Sequence, residues 1–360
     1  MKAALMTDID APVSVEEIET FPAGPRDVVV AVKAAGVCHS DIAGLRGYIG
    51  LNPPTILGHE VAGVVSAVGD EVRSLAAGDR VVASLVPVCG TCPWCVDSQT
   101  HLCERTSDVR ATARGRTSSG EQVYAMLGLG AFAEEMVIDE RLAVRVDSEL
   151  PFEQLALIGC GISTGVGAAL FTARVRPGSS VAVIGCGGVG QAVIQGARIA
   201  GATQIIAVDP LAPKRSASIK SGATHVVDPA DGDTAEQVKA LTRGRGADYG
   251  FEVVGNPKAM VAAYDSTRRG GTVTTVGIPA PGARLDLSAS DFFRAEKRIV
   301  GSYYGSTQVM AAFQTFADLI AAGRLDAASL ITHRYVLSEV PQALADLDNG
   351  LTLRGIVLPS

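Results

Sequence analysis

Four cysteines at positions 89, 92, 95 and 103 follow the spacing C-x2-C-x2-C-x7-C. A tetrahedral Zn²⁺ ion needs four soft donors at one point, and short loops between thiolates let a chain wrap the ion without strain. A site closed in this way has no room for a substrate, so the segment 89–103 reads as a structural zinc lobe. The alternative, a redox Cys-x-x-Cys pair with two bystanders, is disfavoured because two further cysteines at such spacing rarely accompany one. Trp94 and His101 fall inside this lobe and read as packing and surface contacts rather than ligands.

A second set is dispersed. Cys38-His39-Ser40-Asp41 and Gly58-His59-Glu60 lie early in the chain, and Cys160 lies far downstream. Two thiolates and one imidazole leave a tetrahedral position open, as a metal that must bind a substrate oxygen requires. Taken singly, a buried Cys is usually an inert small hydrophobe and a buried His a satisfied core side chain. Asp41 and Glu60 add weight, because metal-bound histidines commonly give their second N–H to a carboxylate.

The third constellation is Gly185-x-Gly187-x-x-Gly190, directly after the β-rich run Val181–Ile184 and before a helical pattern over 189–199. In that context Gly185 permits a tight turn, Gly187 lets the backbone approach a pyrophosphate and Gly190 lets helix pack on strand, with the helix N-terminus facing the phosphates. Gly188 and Val189 complete the loop, and Cys186 is a spacer. Asp209 ends the next β run, 24 positions after Gly185 (209 − 185). A carboxylate there accepts hydrogen bonds from both adenosine ribose hydroxyls and repels a 2′-phosphate, which favours NAD over NADP.

These residues need two kinds of scaffold. From Val28 to Val82, β-rich runs such as 28–32 and 61–65 alternate with Gly, Pro and Asp, as in an antiparallel, barrel-like domain. After Pro151 the pattern becomes strand–helix–strand, with runs at 204–208, 223–227, 247–254 and 271–277, as a doubly wound parallel sheet requires. A helical period over 308–322 and short β runs at 335–337 and 355–358 suggest a return to the first domain. The chain of 360 residues is comfortable as two domains, placed at 1–159, 160–300 and a returning 301–360. A formal charge of −7 without a long basic run argues against nucleic acid and anionic lipid. The uncharged stretches 155–173 and 178–197 raise the question of membrane spans, but glycines break both, and Gln191 and Gln195 interrupt the second. Seven cysteines, an odd number, argue for metal or thiolate chemistry in a reducing compartment, and 1–10 has no readable secretory signal. The expected location is cytoplasmic.

With these motifs in this order, the chain resembles the zinc-dependent medium-chain alcohol dehydrogenases over essentially its whole length. The resemblance implies an α/β protein, with a doubly wound parallel-sheet (Rossmann) cofactor domain and an antiparallel β-barrel-like (GroES-like) catalytic domain. It implies Cys38, His59 and Cys160 as ligands of a catalytic zinc, with Glu60 as the carboxylate of that metal set and Asp41 behind His59. Cys89, Cys92, Cys95 and Cys103 match the structural site, making two Zn²⁺ per subunit. The segment 159–165 is similar to the family's border segment, which sets Thr164 and Val189 against the nicotinamide. By the same resemblance Asp209 and Lys214 bind the ribose, Gly185, Gly187, Gly188 and Gly190 the phosphates, and His39 and Arg354 the pyrophosphate.

The implied reaction moves a hydride between a primary or secondary alcohol and NAD, or reduces an aldehyde or ketone in reverse, with Ser40 taking up the hydroxyl proton. One departure is Ala43, where many relatives carry the outer histidine of a proton relay; another is Leu85, where bulky aromatics are frequent. Two alternatives stand beside this. One is a dehydrogenase acting on the adduct of formaldehyde with a thiol, its carrier held by Arg110, Arg114 and Arg116. The other is a non-catalytic zinc- and nucleotide-binding protein. The expected partner is a small-molecule alcohol or aldehyde, with no nucleic acid and no membrane, in a homodimer or homotetramer whose contact includes 300–304.

Overall fold

The strand Asp27–Val37 organises the first unit of the fold, because both of its edges and its far end are used. Along it buried and half-buried positions alternate, as a pleated strand with one packed face dictates, until Ala34–Val37 sinks entirely into the interior. It pairs antiparallel with Glu60–Val68 on one side and with Arg354–Leu358 and Glu135–Asp139 on the other. Arg80–Ala83, Ala143–Arg145 and Ile331–Val336 complete this seven-stranded sheet. A second sheet of six short strands, including Lys2–Met6 and Gln122–Ala125, closes over Ala3, Leu5, Ile18, Ile56 and Val123. The computed structural model describes residues 1–359.

The second unit carries a parallel sheet in the spatial order His225–Val227, Gln204–Val208, Ser180–Ile184, Ala247–Glu252, Thr267–Thr275, Arg298–Gly301. In chain order that is 3-2-1-4-5-6, so the winding reverses between Ser180–Ile184 and Ala247–Glu252, where doubly wound sheets bind ligands. Alternation along the first of these strands separates two cores. Val181 and Val183 pack with Val193, Ile194 and Phe251, while Ala182 and Ile184 pack on the opposite face with Ile206, Val238 and Tyr264.

Contacts divide the chain into Met1–Gly161, Gln308–Gly323 and Ala327 onward for the first unit, and Ile162–Thr307 with Arg324–Asp326 for the second. The first border therefore falls after 161 rather than 159, and the return comes at 308 rather than 301. Cys160 consequently belongs to the first unit, a correction with a packing cause. A Cβ on Gly159 would lie 2.8 Å from the Ala83 carbonyl oxygen, and one on Gly161 would lie 2.7 Å from Arg354 Nη2, so both glycines lie flush against elements of that unit. The short excursion 324–326 is held by Gln195, whose buried amide donates to the Asp326 carbonyl at 3.0 Å and accepts its N–H at 2.7 Å. The apolar stretch near 155–173 is a helix from Phe152 to Thr172, and 78% of its most apolar window is buried inside the protein. The stretch 178–197 divides into the strand Ser180–Ile184 and the helix Gly188–Ile199, as its pattern implied.

Candidate metal centres and nucleotide cradle

Sheet register assembles the first site. Gly36 pairs with Glu60 and Val37 with Gly355, so Cys38, His59 and Arg354 emerge together at one end of three adjacent strands. Cys160 comes from a π-helical turn, Ile158–Ile162, inside the long helix; such widened turns frequently mark functional positions. The donor atoms of Cys38, His59 and Cys160 all lie within 4.8 Å of one another, and all three residues are buried. The two sulfurs are 4.0 Å apart.

The surroundings fit a metal. His59 Nδ1 is 3.1 Å from Asp41 Oδ1, while its Nε2 is buried and has no partner. Asp41 also accepts the N–H groups of Cys38 at 2.9 Å and Gly58 at 3.2 Å, so its carboxylate is fixed from three sides. An imidazole that gives Nδ1–H to a carboxylate keeps its Nε2 lone pair for a cation. Burial opposes a charge on His59, but the Asp41 carboxylate and then the Cys38 sulfur override it and raise its pKa well above the usual value. The hydrogen bond between the two thiols divides them: it holds Cys38 well below the ordinary range and, together with burial, pushes Cys160 above it.

Glu60, expected within the metal set, stands outside the cluster of donor atoms. Its carboxylate faces Arg354, with Nε to Oε1 at 3.7 Å, too long for a hydrogen bond. Both its oxygens are buried without a hydrogen-bond partner. Burial pushes its pKa up to about 7 despite the guanidinium. Gly36 makes room for this carboxylate, since a Cβ there would sit 2.7 Å from it. Arg354, expected at a pyrophosphate, is 2% exposed and donates to the Val37 carbonyl at 3.2 Å. Its visible role is as the buried counterion of Glu60. Ser40 is half-buried with Oγ 3.8 Å from Cys38 Sγ, and His39 beside it is exposed. Ala43 and Leu85 are buried.

The four-cysteine lobe closes as its spacing implied. All four sulfurs lie within 4.8 Å of one another. A tetrahedron of sulfurs about 2.3 Å from zinc has edges of about 3.8 Å, and Cys89 Sγ to Cys95 Sγ measures 3.8 Å. The Cys92 N–H also points at Cys89 Sγ, at 3.3 Å. Trp94 is partly exposed and donates to Glu104, while His101 is buried.

In the second unit the glycine loop behaves as its chemistry requires. Gly185 has φ +93, a Cβ on Gly190 would meet the Gly185 carbonyl at 2.0 Å, and a Cβ on Gly187 would meet nothing within 4 Å. The space over Gly187 adjoins the N-terminus of the helix Gly188–Ile199, whose first N–H groups suit a pyrophosphate. Asp209 is buried, its carboxylate accepting the N–H of Cys186 and that of Leu211, each at 2.9 Å. Lys214 is half-buried on the helix Ala212–Ser221. A Cβ on Gly165 would lie 2.5 Å from the Val189 carbonyl, so Thr164 and Val189 share one locality. Cys186 is a core residue whose thiol burial pushes up to about 12.

Sequence reasoning missed Glu252, at the end of the strand beside Ser180–Ile184. Its Oε1 accepts the N–H groups of Val254 at 2.7 Å and Gly255 at 2.6 Å, bracing the loop next to Gly185. The signal was a carboxylate within the β run 247–254, three residues before Gly255. Of the three arginines offered for a thiol carrier, Arg114 is buried against Asp27 at 2.9 Å and Arg116 pairs with Glu19 at 3.3 Å, while the buried Nε of Arg110 has no hydrogen-bond partner.

Two families of known proteins match this chain. The family described as "Alcohol dehydrogenase GroES-like domain" matches residues 24–148, and that described as "Zinc-binding dehydrogenase" matches 188–322. The chain is 36% identical to "Alcohol dehydrogenase 6" of Peromyscus maniculatus, over 99% of this chain and 97% of that one. It is also 36% identical to the "NDMA-dependent alcohol dehydrogenase" of Amycolatopsis methanolica, over 100% and 99%. Among solved structures, benzyl alcohol dehydrogenase from Acinetobacter calcoaceticus superposes with a TM-score of 0.92 at 28% identity, over 100% and 99% of the two chains.

The Asp41 contact has a direct test. Asp41→Asn removes the charge that orients His59, and should weaken zinc at the three-donor site about 10- to 100-fold, read by competition with a chromogenic chelator. Unchanged affinity would mean that His59 is held by packing alone.

Proposed function

The chain belongs to the zinc-dependent medium-chain alcohol dehydrogenases, and on that premise we propose that it moves a hydride between a primary or secondary alcohol and NAD. The observation that carries this reading is the buried trio Cys38, His59 and Cys160, with His59 Nε2 unpartnered; three donors would leave a zinc ion one position for a substrate oxygen. We assign one zinc to that trio and a second to Cys89, Cys92, Cys95 and Cys103. Zinc held by the trio would supply Lewis-acid polarisation of the alcohol hydroxyl, and a bound nicotinamide would supply the hydride acceptor.

The chain's own residues do the rest. Asp41 keeps His59 in the tautomer that leaves Nε2 free. Ser40, beside Cys38 Sγ, accepts the hydroxyl proton at Oγ and passes it outward. Position 43 is Ala, so no imidazole there continues that path. The first N–H groups of Gly188–Ile199 hold the pyrophosphate, and Thr164 and Val189 hold the nicotinamide ring. Asp209 takes the adenosine ribose hydroxyls and disfavours a 2′-phosphate. The likeness to a benzyl alcohol dehydrogenase, together with Leu85 in place of a bulky aromatic, puts aromatic alcohols among the first substrates to try. We place the enzyme in the cytoplasm, where its unpaired thiols stay reduced. We assign it a homodimeric or homotetrameric state, supported by the one-sided pairing of the edge strand Arg298–Gly301 and the exposed Tyr303.

The zinc-loaded protein, given a panel of aliphatic and benzylic alcohols, should reduce NAD without added thiol, with kcat/KM for NAD above that for NADP. Turnover only with a thiol adduct of formaldehyde would replace this reading, and zinc and NAD binding with no turnover on any alcohol would make the chain a non-catalytic binder. Because one relative is called NDMA-dependent, the panel is run with and without NDMA.

Zinc content should be two ions per chain by elemental analysis. Cys103→Ser should lose one ion together with thermal stability, whereas Cys38→Ser should lose one ion together with turnover and keep its melting temperature nearer the parent's. The opposite pattern would exchange the two assignments.

Ser40→Ala should lower kcat/KM by ~10²–10⁴, the usual worth of a positioned acid–base group, with little change in the Kd for NAD. An unchanged rate and pH profile would show that the proton leaves without Ser40.

A further inference from the structure

Asp209 does not stand alone at its end of the sheet. The strands Gln204–Val208 and His225–Val227 run parallel with Val208 paired to Val227, so the residues that follow them, Asp209 and Asp228, emerge side by side. Arg215, in the second turn of the helix after Asp209, folds back between them. Its Nη1 donates to the carbonyl oxygens of Asp209 at 2.7 Å and Pro210 at 2.9 Å, and its Nη2 is 2.7 Å from Asp228 Oδ2. Both side chains are largely buried, at 17% and 21% exposure. Asp228 is itself fixed, since its Oδ1 accepts the Ala230 N–H at 2.9 Å and its carbonyl accepts the Gln237 amide at 3.1 Å.

A guanidinium that reaches the backbone of the ribose-binding residue is the kind of group that would grip an adenosine 2′-phosphate, through paired charge-assisted hydrogen bonds. Here those donors are turned onto a second carboxylate and two backbone carbonyls. We propose that Asp228 is a second determinant of cofactor choice, holding Arg215 in reserve so that its guanidinium is withheld from a 2′-phosphate at Asp209. The inference rests on the assignment of Asp209 to the adenosine ribose. It differs from a bracing role for Arg215, because a brace for the 209–211 turn would affect NAD and NADP alike, whereas a reserved phosphate ligand affects NADP alone.

The test reads binding without alcohol, as the Kd of NAD and of NADP for the zinc-loaded protein by calorimetry, with kcat/KM as a second readout. Asp209→Ser removes the first carboxylate. Adding Asp228→Asn should then tighten NADP about tenfold or more, the scale of a charged hydrogen bond to phosphate, while NAD changes less than about twofold. Adding Arg215→Met to that pair should abolish the gain. Should Asp228→Asn melt early, Asp228→Ser keeps an acceptor for the Ala230 N–H and takes its place. NADP affinity indifferent to Asp228→Asn, or an Arg215→Met loss shared equally by both cofactors, overturns the inference. Wild-type preference for NADP, with the Arg215-dependent gain still present in the variants, overturns the reading of Asp209 and leaves the reserved role of Arg215 standing.

Discussion

Four acids are buried at one end of the central sheet of the first unit: Cys38, Asp41, Glu60 and Cys160, none more than 6% exposed. The cation set against them is Arg354, facing Glu60 at 3.7 Å. Uncompensated charge in a protein interior is far more costly than any packing gain can offset, so such a cluster either stays protonated or acquires a counterion. Asp41 is answered by three hydrogen bonds and Glu60 by a guanidinium and a raised pKa. The two sulfurs lie 4.0 Å apart with the His59 imidazole beside them and the Ser40 hydroxyl 3.8 Å from Cys38. A divalent cation would resolve that imbalance, and the first unit brings four separate chain segments to the one place where it would bind.

The glycines are the complement of that requirement. Gly36 and Gly161 exist so that Glu60 and Arg354 can be buried beside the metal ligands, and Gly159 so that the helix bearing Cys160 can lie on the strand Arg80–Ala83. In the second unit Gly185 and Gly190 shape the turn while Gly187 leaves space unfilled. The same residue type thus serves close contact in one place and vacancy in another. Which of these a given glycine does depends on what faces it across the fold.

That distinction also marks how far the sequence could be read. Local signals were legible: the four-cysteine spacing, the loop 185–190 with its flanking strand and helix, and Asp209 at a strand end all depend on neighbours in the chain. The pairing of Cys38, His59 and Cys160 was recognised through resemblance, because donors that meet through sheet register leave no local trace. Partners set by long-range burial left no local trace for the same reason. Glu60 and Arg354, 294 residues apart (354 − 60), answer each other across adjacent strands, and nothing near either residue reveals it. The arginines after the zinc lobe read as an open basic loop, whereas Arg114 reaches back 87 residues to Asp27. Arg215 escaped notice because Lys214, one residue earlier, matched the family.

The place of Arg354 in the sheet also bears on how the protein is made. The strand Arg354–Leu358 supplies one edge of Asp27–Val37, yet it is synthesised 194 residues after Cys160 (354 − 160). At the usual 5–20 residues per second that gap is roughly 10–40 s. During it the nascent first unit has an open sheet edge and a cluster of acids without its guanidinium, while the second unit, nearly continuous from Ile162 to Thr307, emerges whole. The later part of the chain can therefore finish folding on the ribosome before the earlier part. A chaperone that shields exposed strand edges would find its client in the N-terminal segment during that interval.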